Sequence, residues 1–267
     1  MDLQYHQQAL QLAGHSAAVS AAAVAALDEL ETRHDITLPA SVREWYSLAS
    51  AVEILRRYSN DDRPYRIEEL GRPADEESDC PDPVASQGLL PFMVENQGVC
   101  YWAVRLDGSA DPEVLVSFED LDPDSWLPHA RSFSEFVLTQ IWDRPTGDGN
   151  RHVHSKGEQP TPADLTALGE LFERLPSTAN STTHRFVGAA GDQRITLIEE
   201  MWGGWACYLW AATDQLLREL ITTLRTRTSL AQALRSYDDQ SAGARLLAAL
   251  PTTASDPRHV SSTGGLG

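Results

Sequence analysis

The spacing of apolar residues predicts helices at the start of the chain. An alanine-rich run extends from Ser16 to Arg33, and alanine has the highest helix propensity. Pro39 suits the first turn of a second helix. The apolar face predicted for that helix consists of Val42, Trp45, Tyr46 and Leu48. Residues 51–58 predict a further helical piece.

Short apolar segments predict a sheet in the middle of the chain. Residues 89–94, 98–106 and 113–118 are separated by turn-forming residues, which indicates an antiparallel meander. The segment 98–106 is apolar on both faces, as expected for a central strand covered on two sides. A capping-box pattern, Ser132-Phe133-Ser134-Glu135, then predicts a helix that closes this part of the fold.

A polar segment separates this part from a second, smaller α+β unit. Residues 146–162 contain glycine, proline and polar side chains, which predicts a linker between a domain at 1–145 and a unit at 163–250. The tail, residues 251–267, is rich in Thr, Ser and Gly and is predicted to be disordered. The predicted fold class is therefore α+β, with an antiparallel or mixed sheet packed against helices and a second α+β unit behind it.

The second unit is expected to combine helices with a β-hairpin. Strands are predicted at 183–189, 194–202 and 205–211, and helices are predicted from 163, from 214 and over 230–250. Gly203-Gly204 is a two-residue hairpin signal, which would place Trp202 opposite Trp205.

Composition excludes several classes of protein. Of the 267 residues 42% are hydrophobic, which is typical of a globular chain, and no apolar run reaches the ~18 residues of a membrane span. The N-terminus has no basic region of a signal peptide. The three cysteines are far apart, which favours reduced thiols and a cytoplasmic location.

The negative charge is concentrated in the first half of the chain. Residues 1–145 hold 26 acidic and 10 basic side chains, a balance of −16, and the remainder has a balance of only −2. Such a surface repels nucleic acid and anionic membranes and would steer a basic protein towards it. The alternative is that the charge serves solubility alone.

No catalytic motif is present, and we expect neither a cofactor nor a metal. The pair His152 and His154 has a metal-like spacing, but we expect it in an exposed polar loop without further ligands. Most paired carboxylates fall in predicted loops, where solvated charge explains them. Glu199 and Glu200 differ because they fall in a predicted strand, and a deep pocket around them would favour an enzyme.

Two acidic loops and one tryptophan are the candidate partner-binding residues. The acidic side chains are Asp75, Glu76, Glu77 and Asp79 in the first loop and Glu119, Asp120, Asp122 and Asp124 in the second. Trp126 follows the second loop, and aromatic residues are enriched at interface hot spots. Local packing is the alternative role for this tryptophan.

The order of the motifs over residues 27–142 resembles the SMI1/KNR4 (SUKH) superfamily. The resemblance depends on Leu38-Pro39 with the aromatic helix that follows, Leu90-Pro91-Phe92, Gly98 with Tyr101-Trp102, Asp107-Gly108, and the closing Ser132-Phe133-Ser134-Glu135-Phe136. Where the family usually has Asn-Gly after the aromatic helix, this chain reads Leu48-Ala49-Ser50-Ala51. The resemblance implies a binding module without catalytic residues, and bacterial relatives look like immunity proteins that neutralise toxins, often nucleases.

The sequence therefore predicts an immunity-type protein that binds a basic toxin. Abundant alanine and arginine with a single lysine suggest a bacterium of high genomic GC content, which agrees with that role. A regulatory or scaffold module that binds an endogenous partner is the main alternative, and an enzyme is the third class. No nucleic-acid or membrane partner is expected.

Overall fold

The computed structural model describes residues 3–70, 87–118, 125–143, 151–178, 183–199, 203–236, 239 and 241–250. The chain forms two compact units, the first from residues 1–146 and 177–181 and the second from residues 147–176 and 182–267. Within the described ranges, no helix is both long enough and apolar enough to cross a membrane.

The first unit packs helices on an antiparallel sheet, as the sequence predicts, and this sheet has five strands, two more than were predicted. Its helices are α1 (Gln7–Ala13), α2 (Ala21–His34), α3 (Ala40–Tyr46), α4 (Ala51–Tyr58) and α5 (Phe133–Asp143). Its strands are β1 (Arg63–Pro64), β2 (Leu89–Val94), β3 (Tyr101–Arg105), β4 (Val114–Ser117) and β5 (Leu127–Ala130). The strands lie side by side in chain order, and Ile67–Glu69 form a short 3₁₀ helix after β1.

The core of the first unit is aromatic. The rings of Phe133 and Phe136 on α5 meet the ring of Phe92 on β2 edge to face, with centroids 5.2 Å apart in both pairs. Trp45 and Tyr46 on α3 are fully buried against the same cluster. Edge-to-face contacts add to the energy of burial, so these rings fix α3 and α5 on the sheet.

One carboxylate fastens the N-terminal segment to α3. Glu44 accepts hydrogen bonds from the backbone N–H groups of Gln4, Tyr5 and His6 at 2.6, 2.9 and 2.9 Å. The His6 ring is fully buried, and its Nε2 donates to the Ser41 carbonyl at 2.9 Å. Its Nδ1 is buried without a hydrogen-bond partner among the described residues, and burial lowers the pKa of the ring.

The second unit also combines an antiparallel five-stranded sheet with helices. Its elements are β6 (His152–Lys156), α6 (Pro162–Leu171), β7 (Glu173–Thr178), β8 (Thr183–Val187), β9 (Gln193–Glu199), β10 (Trp205–Ala211), α7 (Asp214–Arg227) and α8 (Ala242–Ala249). The strand order is β6-β10-β9-β8-β7. Leu217, Leu220 and Leu224 on α7 pack against Ile195 and Leu209 of the sheet, and all five are fully or almost fully buried.

The histidine pair lies on a strand, so the expectation of an exposed loop is wrong. Residues 152–156, within the segment predicted as a linker, pair with β10 along their whole length. Val153 is fully buried in the core, and His152 and His154 lie on the opposite face, where both rings stack on Tyr208. Strand pairing and ring stacking, rather than apolar alternation, stabilise β6, which explains why its sequence pattern is weak.

Two carboxylates hold the chain between α7 and α8 in a non-helical path. Glu158 accepts from the backbone N–H groups of residues 231–233 at 2.8 to 2.9 Å. Asp164 accepts from the backbone and hydroxyl of Ser229 at 2.7 and 2.9 Å. Ala231 has a φ of 62°, a left-handed conformation that a helix excludes. Among the described residues of the helix predicted over 230–250, those of α8 are the helical ones.

The hairpin between β9 and β10 has a different register from the predicted one. Trp205 is opposite Glu199, so the connection spans residues 200–204 rather than the two glycines alone. Gly203 and Gly204 both have positive φ, which confirms that they belong to the turn. Trp202, the expected partner of Trp205, lies outside the described residues.

Candidate functional site

The structure describes only one of the nine residues predicted to bind a partner. Asp75, Glu76, Glu77 and Asp79 lie outside the described residues, and so do Glu119, Asp120, Asp122 and Asp124. Trp126 is described and immediately precedes the edge strand β5. The candidate partner-binding surface is therefore described from the residues around Trp126.

Trp126 packs on the sheet and remains partly accessible. It covers a small cluster formed by Leu89, Ala103 and Leu115, which is separate from the main core. Its indole Nε1 donates to the side-chain Oε1 of Gln87 at 3.1 Å. Packing therefore holds the ring, and a ring held in this way presents its remaining surface with little loss of side-chain entropy on binding.

Exposed apolar side chains lie on either side of the second acidic segment. Phe118 follows β4 and is 47% exposed, and Leu127 at the start of β5 is 52% exposed. The Ser117 and Ser125 hydroxyls are hydrogen-bonded, so the two chain segments that flank residues 119–124 are close together. We call the set Phe118, Ser125, Trp126 and Leu127 the β4–β5 surface; within it Leu127 pairs with Val116 of the main core, whereas Trp126 packs on the sheet face that carries Leu115.

Several carboxylates of the first unit have structural partners, and one of them, Asp62, belongs to a carboxylate pair that the sequence assigns to solvated surface. Asp111 accepts from the backbone N–H of Ser134 at 3.0 Å and so caps α5. Asp62 is buried and accepts from the backbone N–H of Asn96 at 3.3 Å. Together with Glu44, these side chains satisfy backbone donors inside the first unit. They could not be found from sequence because their partners are distant along the chain.

The structure adds no support for an active site. Glu199 is exposed at the end of β9, and Glu200 lies outside the described residues. Across the described ranges, no group of three or more His, Cys, Asp or Glu side chains is arranged to hold a metal ion. Burial raises the pKa of the Cys100 thiol to about 12 and that of the Cys207 thiol further still, so both are protonated at neutral pH.

Comparison with known proteins supports the resemblance seen in the sequence. The family model described as SMI1 / KNR4 family (SUKH-1) matches residues 21–139. The match runs from α2 into α5 and so covers most of the first unit, including the β4–β5 surface. It leaves the second unit unmatched. Neither the curated proteins nor the solved structures contain a match to the chain.

Proposed function

We propose that the first unit is a non-catalytic, immunity-type module that neutralises a basic toxin, such as a nuclease, by binding it. Two observations support this proposal. The family match falls on this unit, and residues 1–145 carry a balance of −16. Nuclease toxins must hold phosphates and are therefore basic. An acidic protein can cover such an active site without any chemistry of its own.

The β4–β5 surface is the proposed centre of the contact. Its exposed Phe118 and Leu127 flank a segment that carries Glu119, Asp120, Asp122 and Asp124. An apolar centre beside charges is the usual anatomy of a protein interface. The charges would steer the basic partner, and the apolar side chains, together with the accessible part of Trp126 at the edge of the sheet, would determine how long it stays bound. Asp75, Glu76, Glu77 and Asp79 would add to the steering.

The test begins with affinity capture from the source organism, using the full chain at low and high salt. A captured basic protein is then purified, and its association with the full chain is measured by stopped flow. Neutralising Glu119, Asp120, Asp122 and Asp124 should slow association at least tenfold and flatten its salt dependence. The matched control neutralises four exposed carboxylates elsewhere in the unit, namely Glu29, Asp35, Glu68 and Asp107.

Equal effects of the two sets would contradict the proposed location, since only net charge would then matter. A second test truncates Phe118 and Leu127 to alanine, which should speed dissociation and leave association nearly unchanged. A captured partner without basic character, bound equally well at high salt, would instead favour the regulatory or scaffold function.

A further inference from the structure

Three arginines line a groove on the first unit, away from the residues considered so far. The cavity has a volume of about 530 Å³. It lies where α4, β1 and the start of the 3₁₀ helix meet, and its walls are formed by Val52, Glu53, Arg56, Arg63, Pro64, Arg66 and Glu69. Cationic hydrogen-bond donors and a small apolar surface thus occur side by side.

Basic residues are concentrated at this groove although the unit as a whole is acidic. Of the 10 basic side chains in residues 1–145, four fall within residues 56–66, namely Arg56, Arg57, Arg63 and Arg66. The lining itself holds three arginines and two glutamates, a balance of +1, although residues 53–69 as a whole carry four basic and five acidic side chains. Any attraction for an anion is therefore confined to the groove.

Two of the three arginines that line the groove are already paired with carboxylates. Arg56 Nη2 lies 3.0 Å from Glu53 Oε2, and Arg63 Nη1 lies 3.0 Å from Glu69 Oε1. The Arg63 guanidinium also lies 5.0 Å above the ring of Tyr65, which orients it. Arg66 is exposed and takes part in no ion pair among the described residues. Three guanidinium groups and two carboxylates leave one cation uncompensated.

This charge balance selects the kind of anion that fits. Guanidinium groups bind carboxylate and phosphate through paired N–H donors. A dianionic phosphate would also face Glu53 and Glu69, which line the same groove and repel it. A single carboxylate needs only one free cation, and Val52 and Pro64 can cover an aliphatic group attached to it.

We propose that this groove binds a monocarboxylate that adjoins an aliphatic group, with Arg66 as the principal donor. The carboxylate could be the C-terminus of a peptide that ends in an aliphatic residue, or a free carboxylic acid of similar size. The site is separate from the β4–β5 surface. Its occupation does not depend on the proposed toxin-binding function.

The probes are N-acetyl-leucine, its uncharged amide, inorganic phosphate and a tetrapeptide ending in leucine. Binding to the full chain is followed by NMR titration of the backbone amides. N-acetyl-leucine should bind in the millimolar range, as expected for so small a ligand, and shift signals of residues 52–69. Tighter binding of the tetrapeptide would identify a peptide C-terminus, and equal binding would identify a small acid.

Arg66→Gln should weaken binding of N-acetyl-leucine at least tenfold. Arg66 has no ion pair to lose among the described residues, so this variant should fold. Arg105→Gln is the control, since Arg105 is another exposed arginine, paired with Glu113, and lies opposite Leu89, at the other end of β2 from the Val94 that pairs with Arg63. The proposal is overturned if the amide binds as well as the acid, if phosphate binds more tightly, or if Arg66→Gln changes nothing.

Discussion

Glu158 accepts four hydrogen bonds in the second unit, so its replacement by glutamine tests the structure closely. Oε1 accepts from the backbone N–H groups of Gln232 and Ala233, both at 2.9 Å. Oε2 accepts from the N–H of Ala231 at 2.8 Å and from the Ser155 hydroxyl at 2.6 Å. All four partners are donors, and glutamine has only one oxygen to offer them.

The size of the effect follows from these contacts. The glutamine oxygen can replace Oε1, and its NH2 can donate to the Ser155 hydroxyl once that hydroxyl has rotated. The N–H of Ala231 then faces another donor and loses its bond, while the two remaining bonds lose the charge of the acceptor. Bonds to a charged acceptor contribute roughly 1.5–3 kcal/mol each. We expect Glu158→Gln to lower the free energy of unfolding of the second unit by about 2–3 kcal/mol.

Urea unfolding measures the predicted loss of stability, and amide hydrogen exchange locates it. The exchange of the Ala231 amide should accelerate most, because it loses its acceptor outright. Glu170→Gln is the matched control. Glu170 is exposed, and its Oε2 lies 3.6 Å from Arg227 Nη2, an ion pair that contributes little to stability at the surface. The reasoning is refuted if both variants lose the same stability and exchange of residues 231–233 does not change.

Three further predictions follow from local geometry. A Cβ on Gly243 would lie 2.5 Å from the His152 carbonyl oxygen, so Gly243→Ala should cost about 1–3 kcal/mol in urea unfolding. Gly169→Ala, in open space on α6, should instead gain about 0.5–1 kcal/mol. Burial lowers the pKa of His6 in the native protein below its usual value of 6.5. The neutral ring therefore contributes fully to the stability of the first unit above pH 6.5, and this contribution is lost as the pH falls through the native pKa. His6→Gln should flatten the pH dependence of stability measured in urea titrations. Cys100 and Cys207 should resist thiol labelling until the chain unfolds, as peptide mass spectrometry will show; labelling of either in the native chain would contradict their burial.

Elements with strong apolar patterns were predictable from sequence. The helix predicted at 51–58 and the strand predicted at 89–94 coincide with α4 and β2. Both carry dense apolar side chains and end at turn-forming residues, so local sequence and tertiary packing agree. The α+β class and the second sheet unit were predictable for the same reason.

Elements that depend on distant partners could not be predicted. Strand β6 has one core residue, Val153, and forms because β10 and the ring of Tyr208 lie beside it. The non-helical path around Ala231 depends on Glu158, which is 73 residues away. Local propensity favours a helix over 230–250, and the carboxylate overrides it. Nothing in the neighbouring residues signals either contact.

The candidate site was predictable only in part. The charge of residues 119–124 and the tryptophan beside them can be read from the sequence. The exposure of Phe118 and Leu127 cannot be read in this way, since an apolar residue at a strand end can face either the core or solvent. In the structure Val116 is buried in the core, whereas Phe118 lies beyond the end of β4 and is exposed.

The balance of −16 overstates the charge that the first unit can offer a partner. Glu44, Asp62 and Asp111 satisfy backbone N–H groups within the unit, and Asp28 and Glu31 share the guanidinium of Arg43. Neutralising any of these would change stability, and a loss of binding would then be ambiguous. Charge-dependent recognition is therefore best tested at carboxylates outside this internal network. The acidic residues of 75–79 and 119–124 are the largest acidic groups in the sequence, so the proposed function depends on them.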